Sequence, residues 1–527
     1  RGNKKMYDPN AFGNPDGSRT EIADMMSEFV VFEKKYFSSG VASPDDLKTR
    51  VIVGAKGAGK TVYLRRLQAN LKLNDSVYVT SIEQEVPPTE LIVKFGQSFP
   101  DDYVTEKWSY AWKFAILRAV ISNMLTNKEW ALELTEEDRN RLLEYEDIIF
   151  PRYKVPMTIY AELRQVLNEY HTRNSFSEYS LKKEWDEIEV IVGQILRYLP
   201  PIYFFIDSVD DEYAHAPMYW MRCQKGLFYR VMRILRKDVY GNKLHVVIGI
   251  RDNVMASICE SEHHTRYISE EHVKILNWTY RSIKYFFEIK ISKLKDCYFL
   301  KEDKEKNICS WLGISQIHNE YRNIDESIIQ YILRHTRLLP RDIVIVGNSL
   351  AEIKRLQSTS PDMDILRMIR KKVAECAKTF GNELLQICAN QINNNEMPKG
   401  AAYKGYSEVY TSIQEYKELT AGLIKEVLAD IDSDKISWNK ICDLEKRSRE
   451  VIGENCKMLD ILWQNGGIGY IEEGPNGRNE VFFNQEYPEF LLPKRKKTYV
   501  LRSCLIDAVG IENACWDDKP VIGGNLC

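Results

Sequence analysis

Short apolar runs with strand character recur along the first part of this chain. They stand at Arg50–Val53, at Ser76–Ser81, in IYFFIDSVDDEY (Ile202–Tyr213), in LHVVIGIRDNV (Leu244–Val254) and in VKILNW (Val273–Trp278). The third and fourth are continuously apolar up to their polar ends, the pattern of strands covered on both faces. Between them the period changes to three and four. Val62, Leu64 and Leu67 follow the first run, and helical patterns cover Met218–Lys237 and Tyr280–Leu294. Strands that alternate with helices predict an α/β fold with a parallel sheet, whose ligand sites lie at the carboxyl ends of the strands.

The remaining pattern is mostly helical. The stretch from about 84 to 200 is aromatic-rich and includes WSYAWKFAILRAVISNML (Trp108–Leu125), with apolar residues at helical spacing. It is long for a simple crossover and predicts a helical insertion forming its own subdomain. Residues 1–47 begin polar and turn-rich, then read as a helix over Glu21–Phe37, an arm packed on the core with Phe29, Val31 and Phe32 on it. From Asp296 to Leu356 the pattern is helical, and Pro340 followed by Arg341 opens a new amphipathic helix. A helical segment runs from Asp362 to about Leu428, with a break over Met397–Gly405. Beyond it, GIGYIEEGPNGRNEVFFN alternates around GPNG, a hairpin signal. Helices followed by a two-stranded wing predict a winged-helix-like module at about 403–510.

Composition narrows the class. The chain has 527 residues, enough for roughly three domains, with 44% hydrophobic and 28% charged residues. Lys and Arg number 73 against 76 Asp and Glu, a net charge of −3 that does not point to nucleic acid as a whole. A local basic run remains at Lys494, Arg495, Lys496 and Lys497. No apolar run spans a bilayer, since the best stretch, Ala111–Leu125, is interrupted by Lys113 and Arg118, so no membrane partner is expected. No secretory signal opens the sequence, which starts at Arg1. Eleven scattered cysteines without a C-x-x-C pair predict reduced thiols and a cytoplasmic location. His263 and His264 are adjacent but lack a metal-ligand pattern with Glu260 and Glu262.

The chemistry concentrates after the first strand. Gly54, Ala55, Lys56, Gly57, Ala58, Gly59, Lys60 and Thr61 spell G-x-x-x-x-G-K-T, and Val62 continues the helix. Glycines let backbone N–H groups turn inward around a phosphate, and the helix start adds unpaired donors. Lys60 then suits the terminal phosphates, and Thr61 suits Mg²⁺. Asp207 ends the third strand, where an acid can hold Mg²⁺ through water, and Asp210 or Asp211 on the next turn could activate water. Arg251 ends the fourth strand, where it could sense a γ-phosphate or pair with local acids.

With these pieces in order, the chain resembles P-loop ATPases of the AAA+/STAND group. In particular it resembles bacterial anti-phage defence ATPases with an origin-recognition-like layout of ATPase core, helical lid and winged helix. The residues carrying the resemblance are GAKGAGKT, FFIDSVDD, IGIRD at a first sensor position and LLPRD at a second. The resemblance implies an arm (1–47), a P-loop core with its insertion (48–295), a lid (296–360), a helical linker (361–402) and a winged-helix-like domain (403–527). It implies ATP and Mg²⁺ as cofactors, Lys60 and Thr61 on phosphate and metal, Asp207 on metal, and Asp210 or Asp211 in catalysis. Arg341 would reach the γ-phosphate from the lid, and Arg266 or Arg281 would act in trans. Ordinary AAA+ motors have Glu after the metal-binding Asp. Ser208 stands there in this chain, as in signalling-type STAND ATPases, which puts fast hydrolysis in question.

Three functions follow as expectations. The first is an ATP-driven switch, active in anti-phage defence, that assembles as a homo-oligomer or acts on an effector protein. The second is a DNA-binding ATPase of the initiator or transposition-regulator kind, using the winged module and its basic run. The third is an ATP-bound scaffold with little hydrolysis.

Overall fold

A computed structural model describes residues 7–20, 48–83, 85–149, 154–207, 215–259, 267, 271–299, 305–319, 323–357, 364–395, 406–474, 477–483, 491–511 and 521–522. Asp210, Asp211, Arg266, the paired histidines, the expected helix at Glu21–Phe37 and the expected break at Met397–Gly405 lie outside the described residues.

The centre is an all-parallel sheet of β1 (Val51–Gly54), β2 (Tyr78–Glu83), β3 (Ile202–Ile206), β4 (Leu244–Arg251) and β5 (Val273–Ile275), in the order β2-β3-β4-β1-β5. The continuously apolar runs are its three inner strands, with every residue of β1, β3 and β4 buried. The edge strands β2 and β5 are largely half-exposed. Strand periodicity sorts the apolar residues onto two faces. Val51, Val53, Phe204, Val246 and Ile248 join the larger core, while Ile52, Tyr203, Phe205 and Val247 pack with Tyr63 and Leu64 of the helix Lys60–Leu71. Full burial of each such side chain is worth about 1.5–3 kcal/mol, so both faces are firmly held.

All five strand boundaries differ from the sequence reading, the first strand by one residue at each end (Val51–Gly54) and the third by stopping at Ile206. The fourth strand stops at Arg251, because Asp252 opens a helix to Cys259. The fifth is cut to Val273–Ile275, and the second runs two residues later than its apolar run.

The insertion is helical, but it does not form a core of its own. Its long helix Asp101–Thr126 crosses the helix Pro217–Arg236, and both belong to the core on one face of the sheet. The crossing is close at Gly226, where a Cβ would lie 2.4 Å from Trp108 Cβ. The Trp112 indole donates to Cys223 O at 2.9 Å beside it. The aromatic residues that set the insertion apart in sequence are what weld it to the sheet.

Beyond the sheet, a helix Tyr280–Ser292 leads to a segment expected to be helical throughout. It contains an antiparallel hairpin, β6 (Gln316–Asn319) with β7 (Ile324–Ser327). Ile317, Asn319, Ile324 and Glu326 face inward and their neighbours outward, a period of two confined to four residues per strand. The helix Pro340–Gln357 follows, then a long helix Ile365–Asn395 in which Ile369, Val373, Ala377, Phe380, Leu384 and Cys388 are buried.

The tail is richer in strands than a two-stranded wing. The expected hairpin forms as β9 (Ile468–Gly474) with β10 (Gly477–Val481), paired Gly474 to Gly477. With β8 (Lys435–Ile436), β11 (Tyr499–Leu501) and β12 (Val521–Ile522) it makes a five-stranded sheet, order β12-β10-β9-β11-β8. Helices Trp438–Val451, Met458–Gln464 and Ser503–Val509 accompany it.

Candidate functional site

The glycine-rich loop leaves β1 at Gly54 and enters its helix at Lys60. Gly57 and Gly59 hold φ of +91° and +96°, left-handed values that strain any residue with a Cβ. A turn closes inside the loop through Ala58 N donating to Ala55 O at 3.1 Å. Lys60 is buried, and its ammonium donates to Gly54 O at 3.0 Å and Ala55 O at 3.1 Å. The lysine thus lies along the inside of the loop. Thr61 Oγ1 donates to Asp207 Oδ2 at 2.6 Å. Two segments 146 residues apart therefore meet through one hydroxyl and one carboxylate.

The sheet order explains the meeting. β4 lies between β1 and β3, and Arg251 is in register with Gly54. Arg251 is buried at the tip of that central strand, between the loop and the strand that ends before Asp207. A second carboxylate lies close by. Glu83, at the tip of β2, accepts from Ile159 N at 2.8 Å and Tyr160 N at 2.7 Å, the first turn of helix Ile159–Glu169. Burial pushes its pKa up to about 7, against those two hydrogen bonds. Tyr160 in turn donates its hydroxyl to Asp207 O at 3.1 Å, so the insertion braces the Asp207 strand.

The helix Pro340–Gln357 closes over the loop. Arg341 N donates to Gly57 O at 3.3 Å, and a Cβ on Gly57 would sit 3.1 Å from Arg341 Cβ. Gly57 therefore meets two demands, a left-handed φ and a close approach. The first turn of this helix is fixed by Arg337, which places its guanidinium on Asp342 at 2.6 and 3.0 Å.

A pocket opens between these parts. Its floor is the loop from Gly57 to Val62, one wall is Pro340, Arg341 and Val344, and the other is Trp278, Phe286 and Lys290. The residues Gly13–Pro15, Gly17 and Thr20 complete it. The Trp278 indole donates to Ala58 O at 2.9 Å, and Phe286 meets its ring edge-on at 5.7 Å. The amino-terminal segment is held from two sides. Asn348 bonds Phe12 N and Gly13 O at 2.8 and 3.0 Å, and Arg65 donates to Gly17 O and Thr20 O, both at 2.7 Å. The result is a cleft with polar loop groups at one end and Trp278, Phe286, Val62 and Val344 around the rest.

Sequence reasoning named the loop, Asp207, Arg251 and Arg341, and these residues converge. It missed Trp278, Phe286, Lys290 and the 13–20 segment, because only tertiary packing brings them to the loop. Phe29, Val31 and Phe32 lie outside the described residues. Arg281 is exposed at the start of its helix. In the basic run, Lys496 stands 4.3 Å over the Tyr470 ring and Lys497 is 3.7 Å from Glu473, while Lys494 and Arg495 are exposed. Among the described residues no group of three or more His, Cys, Asp or Glu is placed to hold a metal ion. None of the described helices is long and apolar enough to cross a membrane. No protein-family model matches the chain, and no curated protein matches it.

Proposed function

We propose that the chain binds ATP with Mg²⁺ in this cleft and hydrolyses it slowly, as a switch of the P-loop AAA+/STAND kind. The observation that carries the proposal is the 2.6 Å contact between Thr61 and Asp207 beside the buried Lys60. A hydroxyl and a carboxylate so close suit a hard cation that keeps most of its waters and binds phosphate oxygens. Thr61 would hold Mg²⁺ directly and Asp207 through water, and the ion would neutralise charge on the phosphates.

The chain's own groups do the rest. The loop N–H groups and the helix start at Lys60 take the phosphates, and Lys60 supplies a fixed positive charge. Arg251 at the central strand tip and Arg341 from the closing helix bring two further cations toward the terminal phosphate. Trp278, Phe286 and Val344 give the base an apolar seat that excludes water. Asp210 or Asp211 would orient and deprotonate the attacking water. Ser208, where a Glu would be expected, keeps turnover low.

The output follows from the closing helix, which carries Arg341 at one end and packs on the long helix Ile365–Asn395, itself seated on the tail helix Ser503–Val509. A terminal phosphate held by Arg341 would fix that helix, and its loss would release it. Homo-oligomer assembly, action on an effector protein and a role in bacterial anti-phage defence are proposed on the resemblance. The DNA-binding alternative rests on the basic run after the hairpin, of which Lys494 and Arg495 are exposed. A phosphate-release assay tests the proposal. Mg²⁺-dependent turnover is expected and is lost in Lys60→Ala; persistent turnover in that variant would place the chemistry elsewhere.

A further inference from the structure

One charged cluster touches the phosphate loop without entering the proposed chemistry. Lys56, the third residue of the loop, has its Nζ 3.7 Å from Glu383 Oε1. Glu383 belongs to the long helix Ile365–Asn395, which is part of neither the sheet nor the closing helix. Its other oxygen is 2.8 Å from Arg337 Nη2, and Arg337 is clamped on the fully buried Asp342. A chain of alternating charges therefore runs Lys56–Glu383–Arg337–Asp342, from the loop to the first turn of the closing helix. Burial works against the Glu383 carboxylate, but the charges of Arg337, Lys56 and Arg341 hold its pKa below the usual range.

The same turn of the long helix is also seated on the tail domain. A Cβ on Gly381 would lie 2.0 Å from Cys504 O and 2.6 Å from Ala508 Cβ, so the helix Ser503–Val509 presses directly on its backbone. Between Arg337 and Pro340, Leu338 holds φ of +58°, a sparsely populated conformation for a residue with a side chain. The two ends of the Glu383 contact are unequal. The Arg337 side is short and buried, whereas Lys56 is longer in reach and about a quarter exposed. The Lys56 contact is the one that a stronger anion can displace.

We propose that Glu383 is a positioning residue that couples nucleotide occupancy to the seating of the tail domain. A triphosphate in the loop competes with the Glu383 carboxylate for Lys56. When the phosphate wins, the long helix keeps its anchor on Arg337 and loses its anchor on the loop. This inference rests on the proposed nucleotide site.

The test combines nucleotide affinity, measured with a fluorescent ATP analogue and Mg²⁺, with hydrogen exchange over 377–392 and 503–509. In the wild type, nucleotide should speed exchange in both segments. Glu383→Gln removes the competing charge, so affinity should rise about 2- to 5-fold, the scale of a partly exposed ion pair. Exchange should then be fast with or without nucleotide. Lys56→Gln cuts the other end of the contact: exchange should again lose its nucleotide response, but affinity should fall. Opposite changes in affinity with the same lost response separate coupling from a general loss of structure. Unchanged affinity and an intact response in Glu383→Gln would overturn the inference while leaving the nucleotide site standing. Absence of binding by the wild type would overturn both.

Discussion

The Arg334 cluster offers the sharpest energetic prediction. Arg334 lies between two buried carboxylates, donating to Glu326 of β7 at 3.1 and 3.2 Å and to Glu480 of β10 at 2.6 Å. All three side chains are at most 4% exposed. Glu326 also accepts from Asn319 at 2.8 Å, which softens the loss on that side. Arg334→Ala takes away the cation between two carboxylates that water cannot reach. Breaking a buried pair in this way costs about 3–5 kcal/mol. Because Glu480 belongs to the tail sheet and Glu326 to the hairpin after the core, the cost falls on the contact between them. Hydrogen exchange at β10 amides should therefore accelerate about 100- to 4,000-fold, since each 1.4 kcal/mol is tenfold in an opening equilibrium. The β1, β3 and β4 amides should change little. A β10 acceleration of fivefold or less would mean that the cluster behaves like a surface pair, and that the hairpin and tail sheet are not held together through it.

Two other outcomes follow from the geometry. Trp278→Phe keeps a ring in the pocket but deletes the bond to Ala58 O, so affinity for a fluorescent ATP analogue should fall about 2- to 12-fold, for one hydrogen bond of about 0.5–1.5 kcal/mol. The second concerns acid stability. His245 accepts from Arg50 at 2.7 Å, and burial together with that positive charge pushes its pKa down to about 3, far under its ordinary 6.5. The unfolded chain takes up this proton near pH 6.5 and the folded chain does not until about pH 3, so the contribution is lost as pH falls through that window. In urea titrations from pH 7 to pH 4, His245→Asn should lose less stability than the wild type; equal losses would contradict the buried neutral imidazole.

What could be read from the sequence was local. The loop is contiguous, and its glycines and lysine are the residues that its backbone requires. The strand tips carrying Asp207 and Arg251 follow apolar runs that only a sheet interior explains, and parallel order then brings both tips to the loop. The β6–β7 hairpin was illegible because each strand has four residues and its inward positions include the polar Asn319 and Glu326. The tail sheet was underestimated for the same reason, since β8 and β12 have two residues each and cannot display a period. The insertion read as separate because length, not packing, is visible in sequence. Trp278, Phe286 and the 13–20 segment join the cleft through contacts such as Trp278 to Ala58 and Asn348 to Phe12, which no spacing rule encodes. Glu383 was hidden likewise, as an ordinary acid on a long helix.

Equilibrium binding of ATP to the wild type and to Thr61→Ala, each with and without Mg²⁺, bears most directly on the proposed nucleotide site. The wild type should bind more tightly with Mg²⁺ than without it. Thr61→Ala should bind more weakly and lose most of the Mg²⁺ dependence, because the hydroxyl that meets Asp207 at 2.6 Å is gone. Binding to the wild type that ignores Mg²⁺, or a Thr61→Ala protein that keeps the full metal effect, would contradict the assignment of the loop and Asp207 as a metal–nucleotide site.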